Sequence, residues 1–324
     1  MMMRQTRRLM RPRLGFDPLL GLILLAVLLA LLLPAQGQFA SFFAGATSLA
    51  IGLLFFLYGA RLSPQEAFSG LKHWKLHGLI LTFTYLVFPL LGLALFPLKF
   101  FLGSELYTGI LFLCLLPSTV QSSIAFTALA RGNVAGAMVS ASLSNMLGVF
   151  LTPVLVMLLL GGQQVGVSTQ VFTDIALQLL LPFILGQLLR RWFAGFARHA
   201  VSKQLDRVSI AMVVYSAFSA GVLAGVWTQV QWWQLLVLVL LSLLLVDALL
   251  KLSNFTAQKL GFSAQDRIAI QFCASKKSLA SGLPIASVIF GPAALGLLVL
   301  PLLIFHQVQL MVCAVRAARL ARQS

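Results

Sequence analysis

Residues Cys273 to Pro284 read CASKKSLASGLP, two adjacent lysines inside an otherwise apolar stretch. Ile268 and Ile270 precede it, and Ile285, Val288 and Ile289 follow. A charge at the centre of a bilayer is expensive, so a membrane segment that keeps Lys276 and Lys277 is expected to use them. Gly282 and Pro284 disfavour a continuous helix just beyond. A broken helix frees backbone polar groups, which a membrane tolerates only beside a cavity or inside protein. With Ser275, Ser278 and Ser281 around the lysines, the stretch reads as half of a binding site.

Composition places that stretch in a membrane. The chain has 324 residues, 60% hydrophobic and 9% charged, with mean hydropathy +0.99. A soluble domain carries about a quarter charged residues. The formal charge of +16 would suit nucleic acid, but no soluble domain is left to present a basic face. The basic residues fall between apolar segments instead, where they set orientation in the lipid bilayer. Cys114, Cys273 and Cys313 lie inside apolar segments without metal-ligand spacing, so they read as small hydrophobes.

Ten apolar segments follow in order. They run over Phe16–Leu33, Phe39–Ala60, Leu76–Pro97, Leu106–Ala130, Val134–Leu160, Gln170–Leu189, Val208–Trp227, Trp233–Leu250, Ile268–Phe290 and Ala293–Val315. Each is long enough for a spanning helix, and none alternates with the period of two that a barrel needs. A cleaved leader competes for the first run, which carries five arginines before it. The length of that run and the apolar segments after it favour a first span.

Loop charges test the count. With ten spans and an inside N-terminus, 20 of the 23 basic residues fall on the inner side. Lys99 alone lies outside, and Lys276 and Lys277 stay within the membrane. A wrong span count would scramble this asymmetry, so both termini are expected in the cytoplasm of a bacterial-type inner membrane. Trp227, Trp232 and Trp233 suit an aromatic belt at the outer surface.

Ten spans divide into five plus five, and an odd-numbered half inserts upside down relative to its partner: the arithmetic of an inverted repeat. Landmarks align at an offset of about 157–159 residues: Asp17 with Asp174, Pro117 with Lys276, and Asn133 near Pro292. The fourth span is then the counterpart of the ninth. It is interrupted too, by PSTVQSS from Pro117 to Ser123. At about 1.5 Å per residue, both interruptions lie roughly 15–18 Å into their helices, at the midplane. Paired breaks at matching positions point to the site of a transporter. Close packing through small residues is the plainer reading of PSTVQSS.

ALARGN (Ala128–Asn133), directly after a polar, proline-broken fourth span, resembles the bile acid:sodium symporter superfamily. CASKKSLASGLP, with LHGLILTFTYLVFPLLG from Leu76 to Gly92, is similar to its SBF-like branch, and the similarity runs from Phe16 to about Val315. The resemblance implies a panel domain from helices 1, 2, 6 and 7 (16–60 and 170–228) and a core from helices 3–5 and 8–10 (75–160 and 233–315). A basic leader (1–15) and a basic tail (316–324) flank them. It also implies that helices 4 and 9 cross at their unwound centres, with substrate in the cleft between core and panel. In sodium-coupled relatives the ninth-helix break carries an acid and a glutamine. Here Ser275 and Leu279 stand at those places, and Ala137 and Ala141 at positions aligned with sodium ligands. Sodium wants oxygen ligands, preferably anionic ones, so this chain departs from the sodium-coupled pattern.

One ammonium is expected to replace the missing cation. It would donate to the hydroxyls of Ser118, Thr119, Ser122, Ser123 or Ser144 and to Asn145 and Gln121. The other would hold a small organic anion, and a lysine that exchanges its proton leaves H+ open as the coupling ion. The alternative puts both lysines in a loop before a helix starting at Leu279. His306, Gln307 and Gln309 read as interhelical hydrogen bonds rather than a proton relay. Asp247 and Lys251 read as an ion pair at a helix end. His73 and His77 share the spacing of four residues but lack further metal ligands nearby. The expectation is therefore a secondary transporter without a resident cofactor, or a non-transporting regulator on the same fold. An intramembrane enzyme would need a nucleophile–base pair or metal cluster at one depth, and the sequence offers neither.

Overall fold

The structure is a computed structural model that describes residues 18–61, 73–161, 173–225 and 230–323. The basic leader, Asp17, Lys72, Trp227 and the last residue of the tail lie outside these ranges. The described residues are almost all helical, with no strand among them. We number the helices α1 (Pro18–Leu32), α2 (Gly37–Arg61), α3 (Trp74–Ala94), α4 (Ser104–Leu115), α5 (Gln121–Leu129) and α6 (Val134–Leu160). There follow α7 (Thr173–Leu188), α8 (Arg190–Arg198), α9 (Ala200–Leu223), α10 (Trp232–Lys259), α11 (Ala264–Ala274) and α12 (Leu279–Gln323). Gly291, at φ +69°, divides α12 into two arms.

By length and apolar composition, six of these can cross a membrane, or seven if α7 and α8 count as one bent span. They correspond to the second, third, fifth to eighth and tenth expected spans. The expected fourth and ninth spans are each cut into pieces shorter than a bilayer. The first reduces to the 15 residues of α1 among those described.

Three features depart from the sequence reading for physical reasons. α8 was expected as charged loop. It is a separate helix bent 104° from α7, with Arg190, Arg191 and Arg198 on one side and Trp192, Phe193 and Phe196 on the other. The Arg61 side chain holds its end, Nε donating to Ala197 O at 2.7 Å. α10 runs nine residues past the expected end, so Asp247 and Lys251 pair at 2.6 Å in the middle of a helix rather than at its end. α3 contains a π turn at Phe83–Val87. There Phe88 N–H reaches back to Phe83 O, and Pro89 has no N–H for the Thr84 carbonyl.

The ALARGN run is a helix-to-helix corner. Arg131 takes φ +58°, with Arg131 N–H to Ala128 O and Gly132 N–H to Thr127 O closing the end of α5. A β-carbon on Gly132 would lie 2.5 Å from Ile268. Asn133 then caps α6, its Oδ1 accepting from Gly136 N at 2.8 Å, while its Nδ2 donates to Asp266 at 2.7 Å. Ser263 caps α11 in the same way through Asp266 N. The start of α6 and the start of α11 are thus tied together, which places the two interrupted helices side by side.

Candidate functional site

The break after α4 runs from Leu116 to Val120, and the break after α11 from Ser275 to Ser278. They meet directly: Ser278 N–H donates to Pro117 O at 2.8 Å. A helix that stops leaves its last carbonyls without partners. Buried carbonyls must be paired, and five around the two breaks are met by named side chains. Leu115 O takes Thr152 Oγ1 at 2.9 Å, and Ser118 O takes Asn145 Nδ2 at 2.6 Å. Across the junction, Cys273 O takes Ser118 Oγ at 2.6 Å and Phe272 O takes Ser123 Oγ at 3.1 Å. Gln271 O takes Ser275 Oγ at 2.6 Å.

Most of the expected site residues therefore gather at one junction, with a different division of labour. Ser144 Oγ accepts from Ser118 N at 3.0 Å. Thr119 bonds Ser123 at 2.9 Å and accepts from Ser122 at 2.8 Å. Ser278 caps the following helix through Ser281 N, and Ser281 Oγ donates to Asn145 Oδ1 at 2.6 Å. Most of these hydroxyls serve freed backbone and one another; Ser122 alone among them also accepts from an ammonium group, that of Lys276. Gln121 sits on the exposed side of α5 and is not brought to either lysine. Pro117 packs against Gly148, where a β-carbon would meet its ring at 2.8 Å.

Both lysines lie in the break before a helix that starts at Leu279, yet both are 0% exposed. The loop reading had the helix start right and the environment wrong. Lys277 Nζ donates to Thr84 O at 2.8 Å, Cys114 O at 2.9 Å and Leu116 O at 2.7 Å, above the Phe88 ring at 4.0 Å. Lys276 Nζ makes one long bond, 3.4 Å to Ser122 Oγ. Nearby lie the faces of Phe126 and Phe272, at 4.5 and 5.7 Å, and the thiols of Cys273 and Cys313.

Three groups escaped the sequence reading as parts of this site. Gln309 clamps the Lys277 peptide on both sides, Oε1 to its N–H and Nε2 to its C=O, each 2.9 Å, and Nε2 also meets His306 Nδ1. The sequence reads it as an interhelical hydrogen bond, whereas its partners are the peptide of Lys277 in the break and His306 of its own helix; an amide deep in an apolar helix is the available signal. The Thr84 carbonyl was signalled only by Pro89. Tyr58, within hydrogen-bonding reach of Ser281, lies under the Arg61 guanidinium, which pairs with Asp206 through two bonds of 2.5 and 3.0 Å. Beyond this junction, a cavity of about 320 Å³ opens between α2, α7, α9 and α12, lined by Thr47, Ser48, Asp174, Gln178, Ser216 and Ser287 among others.

An all-helical multi-pass membrane protein with two facing helix breaks and buried cations between them belongs among transporters by its architecture. The comparison with known proteins is more specific. Residues 17–322 match the SBF-like CPA transporter family, and the chain belongs to it. It is 52% identical to "Uncharacterized protein PA2026" of Pseudomonas aeruginosa, over 97% of this chain and 95% of that one. It is 45% identical to "Putative symporter YfeH" of Escherichia coli (strain K12), over 95% of this chain and 94% of the relative. To "Sodium/bile acid cotransporter 7" of Danio rerio it is 31% identical, covering 83% of this chain and 82% of the other. The family is one of transporters, not of enzymes.

Proposed function

We propose that this protein is a secondary active transporter of a small organic anion, with Lys276 as the group that holds the anion. The observation that carries the assignment is the contrast between the lysines. Lys277 has used all three N–H donors on carbonyls, whereas Lys276 makes a single 3.4 Å bond and otherwise neighbours two aromatic rings and the thiols of Cys273 and Cys313. A carboxylate, sulfonate or phosphate offers Lys276 the charge-assisted bonds that its present surroundings do not.

In this reading the ten expected spans form the 5+5 inverted repeat, with the two breaks at the midplane and both termini in the cytoplasm of the inner membrane. The panel comprises α1, α2, α7 and α9, and the core comprises α3 to α6 and α10 to α12. Packing of α2 against α7 and α9 supports the panel, and α1 also packs on α9. The cavity lined by Thr47, Asp174, Ser216 and Ser287 supports a cleft between the two domains. Alternating access is then displacement of core against panel. Sodium coupling is disfavoured, because the junction holds two ammonium groups and, among the described residues, no carboxylate; proton exchange on Lys276 is the coupling step left.

Counterflow in proteoliposomes, screened over organic carboxylates, sulfonates and phosphates, tests this. Saturable flux that persists in choline buffer and disappears in Lys276→Met supports it. Flux that survives that substitution removes Lys276 from the role, and strict dependence on sodium removes the coupling proposal. Absence of saturable flux for every anion favours the regulator.

A further inference from the structure

Lys277 carries an inference that goes beyond transport. Its three acceptors are main-chain carbonyls that no helical N–H can reach. Thr84 O faces Pro89 across the π turn of α3. Cys114 O has lost its partner because Ser118 N–H turns to Ser144 Oγ. Leu116 O lies in the extended residue that ends α4, at ψ 157°. Three carbonyl dipoles thus converge on one point, and the Phe88 ring closes one side with its negative face at 4.0 Å. The side chain delivering the ammonium is 0% exposed, and its own peptide is clamped by Gln309.

We propose that this cage is a monovalent-cation site and that Lys277 is its covalently tethered occupant. The ammonium replaces a dissociable ion in holding α3, the end of α4 and the α11–α12 break together. The architecture of the junction then needs no dissolved cation, and the cage recognises size and single positive charge through three carbonyl oxygens and the Phe88 ring face.

The test is a melting experiment on detergent-purified protein in choline, sodium, potassium and ammonium chloride at equal ionic strength. The wild type is expected to melt at one temperature in all four. Lys277→Ala is expected to melt about 5 °C or more lower in choline, and to regain most of that loss when ammonium enters the vacated cage. Lys276→Ala is expected to show no such dependence on the cation. The proposal is overturned if Lys277→Ala melts with the wild type, if no small cation restores its stability, or if the wild type itself requires sodium. Should Lys277→Ala yield no folded protein, Lys277→Met keeps the aliphatic stem against Phe88 and removes only the ammonium; a Met variant melting with the wild type overturns the proposal, and a lowered melting temperature supports it. The readout is stability, so failure of the transport reading leaves it standing, and the converse holds as well.

Discussion

Single side chains at the junction act mainly on backbone. Ser118, Ser123, Ser275 and Asn145 each donate to a carbonyl released by a helix end. Replacing one such donor leaves a buried acceptor without a partner, which costs more than the bond itself contributes. Gln309 is the sharpest case, since it serves both the N–H and the C=O of Lys277. Gln309→Leu is expected to lower stability by about 3 kcal/mol, measured by denaturant or thermal melts, while Gln307→Leu, two positions away, changes it far less. Equal losses from the two would show that the clamp is ordinary packing.

At the level of elements, close approach and amphipathic pattern decide the arrangement. α6 passes the first break at Gly148, with room for nothing between its backbone and the Pro117 ring. Gly148→Ala is expected to cost about 1–3 kcal/mol and to disturb the junction beyond it, seen as a lowered melting temperature. Gly45, around which a β-carbon meets open space, is the control. α8 separates its arginines from Trp192, Phe193 and Phe196 around the helix and turns sharply from α7. That is the pattern of a helix lying in the membrane interface. A nitroxide on Phe196→Cys is expected to be more accessible to oxygen than to a polar nickel reagent, and one on Arg191→Cys the reverse. Equal accessibility at both positions would place α8 in water.

The whole molecule is held at one end by an ion pair between distant parts of the chain. Arg61 closes α2 by donating to Asp206 on α9 and to the end of α8, and side chains of both partners remain less than a quarter exposed. Asp206→Asn is expected to cost about 3 kcal/mol, and Arg61→Asp combined with Asp206→Arg to recover part of it. A double variant no more stable than the single one would argue against direct coupling. The same pair reaches Ser281 through Tyr58, so its loss is expected to alter flux as well as stability.

Much of this could be read from residues in order. Sixty per cent hydrophobic composition and long apolar runs demand a helical membrane protein, because only helices satisfy backbone groups in lipid along a single segment. α6 begins and ends where Asn133 and the apolar run say it should. Two lysines and a polar Pro117–Ser123 run inside apolar segments announced the junction, since buried polar residues need partners and the nearest are one another. What those residues do to each other depended on tertiary structure. The linear pattern assigns hydroxyls to ammonium groups, but the fold orphans specific carbonyls at Thr84, Cys114, Leu116, Phe272 and Cys273. The carbonyls of Phe272 and Cys273 take hydroxyls, and those of Thr84, Cys114 and Leu116 take Lys277 outright, because a carbonyl left unpaired in a dry interior is costly. Which lysine has all three donors taken and which keeps one long bond follows from where Pro89 and Pro117 stop the helical ladder in space, and distance along the chain does not contain that information.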